Sequence, residues 1–284
     1  MPTIFTHSGN AHRDELIACA VILAKEHGSS LRWQIRRVAT FDPSTATDFD
    51  YVVDIGGVYD PQALRFDHHQ DSALPSSASL IMRHFGILDA AYEWYPWVEF
   101  MDIIDTQGPG VAAGWLDTRM STLARLHSPV ELAVLHEFEK AALVESGSFL
   151  YDMLLLVGRD IVDGLAARVE RMKLLEHRAV VEWHDGHPLC IYFLDDVPNP
   201  ELALRMFRIR QARNALVGVT VDLRGSGWCM FRFDDRNGVD FRKVTGDPEV
   251  AFIHGTGFLA TTKTRCPTDT LRTLVRRAAG VEGT

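Results

Sequence analysis

The run YVVDIGG, residues 51–57, constrains the fold more than any other stretch. Three large residues in succession leave no polar face, and two glycines stop the run, as happens in a strand buried on both sides of a parallel sheet. Such a sheet needs helices over both faces. The neighbouring segments agree. TIFTH (3–7) is a short β run, and after a polar loop DELIACAVILAKEHG (14–28) has helical length, good helix formers and a terminal glycine suited to a C-cap. RWQIRRVAT (32–40) fits another strand. Segments 76–86 and 92–108 read as helical, the second broken or started by Pro96, and 130–177 reads as almost continuously helical.

At AVVEWHDGHPLCIYFLDD (179–196) the period changes to two β runs around an Asp185-Gly186 turn, a hairpin signal. The expected division is therefore an α/β domain over residues 1–177, built on a parallel sheet, and a smaller α/β domain over 178–284. The latter should hold a helix near 200–213, β runs at 214–223 and 227–233, a short apolar run VAFIHGTGF (250–258) and a helix from about 268.

With 284 residues, 46% hydrophobic and 24% charged, the chain can bury a sizeable core. A net charge of -9 argues against coating long nucleic acid, which requires many Lys and Arg on phosphates. A short phosphorylated substrate needs only a positive cleft. Cys19, Cys190, Cys229 and Cys266 form no CxxC pair and are expected as reduced thiols. No apolar run is long enough to cross a bilayer, and the opening MPTIFTHSGN lacks the regions of a secretory signal, so the expected location is the cytoplasm.

Candidate ligands gather at predicted strand ends and loops. THSGNAHRDE holds His7, His12 and Asp14; VVDIGG holds Asp54; RFDHHQ holds Asp67, His68 and His69; MDIIDTQG holds Asp102 and Asp105. In open α/β sheets, sites assemble at the carboxyl ends of parallel strands, so these segments can converge. Taken singly, most have ordinary explanations. Asp14 suits the first turn of a helix, Asp54 a turn before Gly56, and Asp102 with Asp105 a solvated helical face. Adjacent His68 and His69, beside an Asp that can orient one imidazole, are harder to explain without a function. Histidine and carboxylate without thiolate suit Mn, Fe, Co or Zn better than Ca.

These segments, THSGNAHRDE, YVVDIGGVYDPQALRFDHHQ and MDIIDTQG, resemble the successive motifs of the DHH phosphoesterase superfamily. More narrowly they are similar to the melanocyte proliferating gene one family, with its TH.G..H.DE opening and VVD.GG.YD....R.DHHQ segment. FIHGTGF (252–258) is similar to that family's FVHASGF. The resemblance implies a DHH-type parallel-sheet catalytic domain followed by a smaller substrate-binding domain. It also implies two divalent ions, Mn2+ first, and a 3'-to-5' exonuclease acting on short RNA or a related phosphodiester, with a homodimer allowed. By position, His7, His12 and Asp54 correspond to one ion's ligands; Asp14, the shared Asp54, His68 and Asp105 correspond to the other's. A carboxylate with two oxygens is a natural bridge between cations, which makes Asp54 catalytic. His69 is then available to bind a phosphate oxygen or protonate the leaving group.

Substrate contacts implied for the second domain are His254, Gly255 and Gly257. The run RMFRIRQAR adds Arg205, Arg208, Arg210 and Arg213, with Arg208 the candidate and a solvated helix face the alternative. The chain departs from the family at Asn10-Ala11 and Arg13, where relatives carry Thr-Phe and Cys, and in lacking Gly-Gly in FLATTKT. TQG after Asp105 replaces the usual NG, which leaves Asp102 as its rival. Two other functions compete: a non-haem iron oxygenase using His12-x-Asp14 and a later His, and a metal- or RNA-binding module without turnover.

Overall fold

A computed structural model describes residues 1–28, 32–126, 128–197, 200–235 and 238–281. They divide into two units, Met1–Ala167 and Arg168–Thr284. The division falls ten residues before the expected one, inside a long helix, where a change of periodicity has nothing to register.

The first unit is a six-stranded sheet of β1 (Thr3–His7), β2 (Gln34–Val38), β3 (Tyr51–Val53), β4 (Tyr59–Asp60), β5 (Arg65–Phe66) and β6 (Leu143–Glu145), in the order β4-β5-β3-β1-β2-β6. The inner four are parallel, with Ile4 facing both Ile35 and Tyr51 in register, while β4 and β6 run antiparallel at the edges. All three residues of β3 are buried, as expected of a strand with apolar neighbours on both faces. Its helices are α1 (Arg13–Glu26), α2 (Ser77–His84), α3 (Leu88–Trp94), α4 (Pro96–Gln107), α5 (Pro109–Trp115), α6 (Met120–Leu123), α7 (Pro129–Lys140) and α8 (Phe149–Arg178), the last continuing into the second unit.

Helix α1 is buried almost all round, from Ala18 to Leu23. Gly158 of α8 lies against it so closely that a Cβ would come within 1.9 Å of the Ala20 carbonyl oxygen. Only glycine permits that crossing.

Two short elements were not expected. The nearly continuous helix of 130–177 is interrupted by β6, because Val144 is buried while Leu143 and Glu145 are not, and Gly147 turns the chain at φ 91°. The stretch before DHHQ folds back as the β4–β5 hairpin, whose turn is held by Asp60 accepting from the amides of Gln62 and Ala63. Pro96 begins α4, dividing the expected 92–108 helix at Tyr95.

The second unit is a sheet of β7 (Val180–His184), β8 (His187–Tyr192), β9 (Val217–Val221), β10 (Trp228–Arg232), β11 (Val250–Ile253) and β12 (Leu259–Thr262), ordered β11-β12-β10-β9-β8-β7, with α9 (Pro200–Gln211) and α10 (Thr268–Ala279). Strands β8 and β9 are parallel and the other pairs antiparallel. One apolar face of α10, with Leu271, Leu274, Val275 and Ala278, is buried in the core under Val217, Val219 and Met230.

Candidate metal centre

Parallel strands end at one edge of a sheet, and three adjacent ones here end in candidate ligands. β1 ends on His7, β3 is followed by Asp54, and β5 by Asp67-His68-His69. The loop after β1 leads into α1, whose first turn brings His12 and Asp14 to the same edge. Asp54 has φ 58°, a left-handed conformation that costs a non-glycine residue about 1–3 kcal/mol. Its amide still donates to the Phe66 carbonyl at 3.1 Å, so the strained residue turns the side chain without breaking the sheet.

The buried Asp54 carboxylate faces two ways. Oδ2 lies 3.2 Å from His7 Nε2, and Oδ1 lies 3.2 Å from His68 Nε2. Ser77 Oγ donates to Oδ1 at 3.0 Å. His68 Nε2 also pairs with Asp105 Oδ2 at 3.0 Å. Asp14 is 1% exposed, and among the described residues neither of its carboxylate oxygens has a hydrogen-bond partner. A buried carboxylate in that condition is costly unless a cation meets it.

Potential donor atoms come within 4.8 Å of one another in three overlapping groups: His7, His12, Glu15 and Asp54; Asp54, His68 and His69; and His12, Asp14 and Asp105. All six expected ligands thus come together, but the grouping differs from that implied by the resemblance, since His12 shares a group with Asp14 and Asp105 as well as with His7 and Asp54. His68 links the second and third groups through Asp54 and Asp105.

The charges respond to this crowding. The Asp54 and Glu15 carboxylates push His7 up to about 11. Burial works against the His68 cation, but Asp105 and Asp54 outweigh it and push His68 up to about 10. Burial would also raise Asp54, and the two histidines reverse that and hold it well below the usual carboxylate range. Asp14 moves the other way: burial, then the charges of Asp54 and Asp105, raise it well above its ordinary value. Protons on the histidines occupy the place of positive charge in an acid-rich pocket. The donor set, imidazole and carboxylate without thiolate, fits a divalent transition ion.

Asp102 is not on a solvated face. It is buried and accepts hydrogen bonds from the Ser76 amide (3.1 Å), Ser76 Oγ (2.5 Å), Ser79 Oγ (2.8 Å) and Tyr92 OH (2.6 Å), so its oxygens are fully occupied. Asp105, one helical turn on, instead faces the His68 imidazole. Asp67 accepts from the Gly57 amide at 2.6 Å and lies 2.7 Å from His69 Nδ1, which orients the exposed His69 ring beside His68. Glu15 was not among the expected ligands. It is fully buried, 3.4 Å from both His7 Nε2 and Arg37 Nη2, and its position after Asp14 in the opening motif was the available signal.

In the second unit, His254 Nδ1 lies 3.0 Å from Thr256 Oγ1, and its ring lies tilted against Phe258 with centroids 4.4 Å apart. It borders a hollow of about 580 Å³ that Arg242, Gly255 and Lys263 also line. Gly255 has open space where a side chain would be, whereas a Cβ on Gly257 (φ +69°) would come within 2.0 Å of Asp240 Oδ1. The backbone at Gly257 is therefore approached by Asp240, not left bare. Arg208 donates to the Ala215 carbonyl at 2.8 Å and lies over the Phe233 ring, and Arg205 holds Glu201 and the Phe233 carbonyl. Those two arginines serve the packing of α9. Arg213 is exposed and Arg210 lies 3.8 Å from Glu176.

Residues 3–91 match MYG1_exonuc, described as an uncharacterised protein family (UPF0160). The similarity to this family is confined to that segment. The MYG1 exonuclease of Mus musculus is 40% identical over 101 residues, covering 30% of this chain and 25% of the relative. A MYG1 protein of Chlamydia pneumoniae is 37% identical over 92 residues, covering 31% and 30%. The aligned part thus spans about a quarter of the length of the mouse relative. A solved DHH-domain protein, described as a member of the s1p family of ribosomal proteins, overlays at TM-score 0.35 and 11% identity over 99% of this chain and 87% of that one. The matched segment includes His7, His12, Asp14, Asp54, His68 and His69, while Asp105 and the whole second unit lie outside it. Among the described residues, no helix is long and apolar enough to cross a membrane.

Proposed function

We propose that the first unit is a divalent-metal-dependent phosphoesterase, and that the protein removes nucleotides from the 3' end of short RNA with two manganese ions. The observation that carries this reading is the buried Asp14 carboxylate without a partner, set among three donor groups of which two share Asp54. Relatives of the matched segment that are named exonucleases support the choice of nucleic acid.

His7, His12 and Asp54 would hold one ion, and Asp14, Asp54, His68 and Asp105 the other. Such a pair supplies charge that acidifies water and stabilises phosphoryl oxygens. Asp54 presents one oxygen to each side, as a bridge requires. As ligands His7 and His68 would have to give up their protons, so metal affinity would rise with pH until they are neutral. His69, oriented by Asp67 and 64% exposed, is placed to donate to a phosphate oxygen or to the departing oxygen. In the second unit, His254 and the open Gly255 backbone are the residues assigned to a substrate phosphate.

An iron-oxygenase triad of His12, Asp14 and one later His leaves Asp54 buried between His7 and His68 without a role. Its usual all-β scaffold is also absent, because the site stands on a parallel α/β sheet.

The test is the protein supplied with Mn2+ against RNA and DNA oligonucleotides labelled at either end, cyclic dinucleotides and pyrophosphate. The expected result is stepwise shortening of RNA from its 3' end, abolished by chelator. No phosphodiester cleavage with any divalent ion overturns the reading and leaves a binding module.

A further inference from the structure

Glu15 has more partners than its position in the helix requires. As the third residue of α1 it accepts from the His12 amide through both oxygens at 2.9 Å, which alone would be half of a capping box. A capping box accepts glutamine as readily as glutamate and stands at the surface. Glu15 is fully buried, and Oε1 also lies 3.4 Å from Arg37 Nη2 and 3.4 Å from His7 Nε2.

Arg37 is buried too. Its guanidinium donates to the carbonyls of Phe138 (3.0 Å) and Gly9 (3.3 Å) and lies over the Phe138 ring at 4.7 Å. A guanidinium held from three sides fixes the carboxylate beside it, since an arginine fork offers planar, directional donors. The chain Arg37–Glu15 thus reaches two proposed ligands at once: His12 through its backbone and His7 through its ring.

Resting on the metal-enzyme reading above, we propose that Glu15, anchored by Arg37, is a positioning residue for the His7 side of the metal centre. It sets the orientation of His7 and the entry of the chain at His12, and its negative charge favours a cation held there. Arg37 meets the same oxygen, Oε1, that faces His7 and keeps that charge in place. Groups beyond the direct ligands commonly change metal affinity by about ten- to a hundredfold.

Glu15→Gln isolates this role, because the amide oxygen still accepts from the His12 N–H while the charge is lost. Calorimetric titration with Mn2+, and the absorption spectrum of the Co2+ form, are read for wild type, E15Q, Glu15→Asp, His7→Ala and His68→Ala. The expected result is that E15Q weakens binding by about ten- to a hundredfold, reproduces part of the H7A loss, and shifts the Co2+ spectrum. Binding that H68A removes stays intact, the metal-free melting temperature of E15Q stays close to wild type, and E15D, which keeps the charge, recovers part of the affinity. E15Q with wild-type affinity and spectrum overturns the proposal. So does E15Q that melts well below wild type with E15D no better, which makes Glu15 a helix cap alone. Wild-type protein that binds no divalent ion defeats the metal-enzyme reading itself, whatever E15Q does.

Discussion

The two units handle ionisable groups in opposite ways. In the second, charged side chains close to the core are answered: Glu182 receives Tyr192 OH at 2.6 Å and Arg276 Nε at 2.7 Å, Asp240 is bound by Arg242, and Arg208 rests on the Ala215 carbonyl. In the first, Asp14 is buried with both oxygens unanswered among the described residues, and the acids around it, Asp54 and Asp105, meet the imidazoles of His7 and His68 and the Ser77 hydroxyl. Burying a carboxylate without a partner opposes folding, so its retention points to a partner that arrives later. Satisfied charges stabilise a fold; unsatisfied ones of this density mark where chemistry is expected.

Five substitutions test that contrast. The largest effect is expected at Asp54→Asn, where an amide cannot present one anionic oxygen to each histidine. Phosphodiester hydrolysis should fall by on the order of a thousandfold or more, with bound metal reduced on analysis of the purified protein. Normal turnover with full metal content would remove Asp54 from the centre.

Next is Asp14→Asn, which should lose divalent binding; an unsatisfied buried polar group costs about 1–3 kcal/mol and a charged one more, so at pH values where Asp14 is ionised the metal-free protein should become more stable. The pH dependence follows from the sign of the shift. A carboxyl raised above its unfolded value favours the fold most below that unfolded value, near pH 4, and loses this contribution as pH rises through the higher folded value. Melting curves of the metal-free wild type should therefore lose stability over that rise relative to D14N. Parallel pH profiles for the two proteins would show that Asp14 is not held unpaired.

The third contrast separates neighbours on α4. Asp105→Asn should leave the fold intact and lower turnover, whereas Asp102→Ala should destabilise the fold by about 2–4 kcal/mol, because it strands four buried donors. Thermal melts and rates per folded molecule distinguish them, and equal behaviour would mean that the two acids share one role. The smallest effect is expected in the second unit. Arg208→Ala should cost about 1–2 kcal/mol through the lost carbonyl bond and aromatic contact, with hydrolysis of a small artificial phosphodiester unchanged. A selective loss of oligonucleotide cleavage instead would restore Arg208 as a substrate contact.

Local sequence determined the parts that depend on near neighbours. The apolar YVV run, its glycine stop and the helix-forming stretch after THSGNAHRDE specify strands and helices by burial and backbone freedom alone. The adjacency of Asp67, His68 and His69 was visible because an imidazole and the carboxylate that orients it lie two residues apart. Short elements were not visible: β6 and the β4–β5 hairpin have too few residues for a period, and they form because the sheet edge offers them hydrogen bonds.

What only the tertiary structure decided is which oxygens are free. Asp102 and Asp105 are equivalent in a helical sequence. They differ because Ser76, Ser79 and Tyr92, brought by α2 and α3, occupy one, while His68, brought by β5, meets the other. Glu15 reads as an ordinary first-turn acid until β2 places Arg37 against it. Arg208 and Gly257 read as open to a ligand until Ala215, Phe233 and Asp240 fill the space around them. A side chain's chemistry belongs to its type, but its availability depends on partners distant in sequence, and those are supplied only by the packed fold.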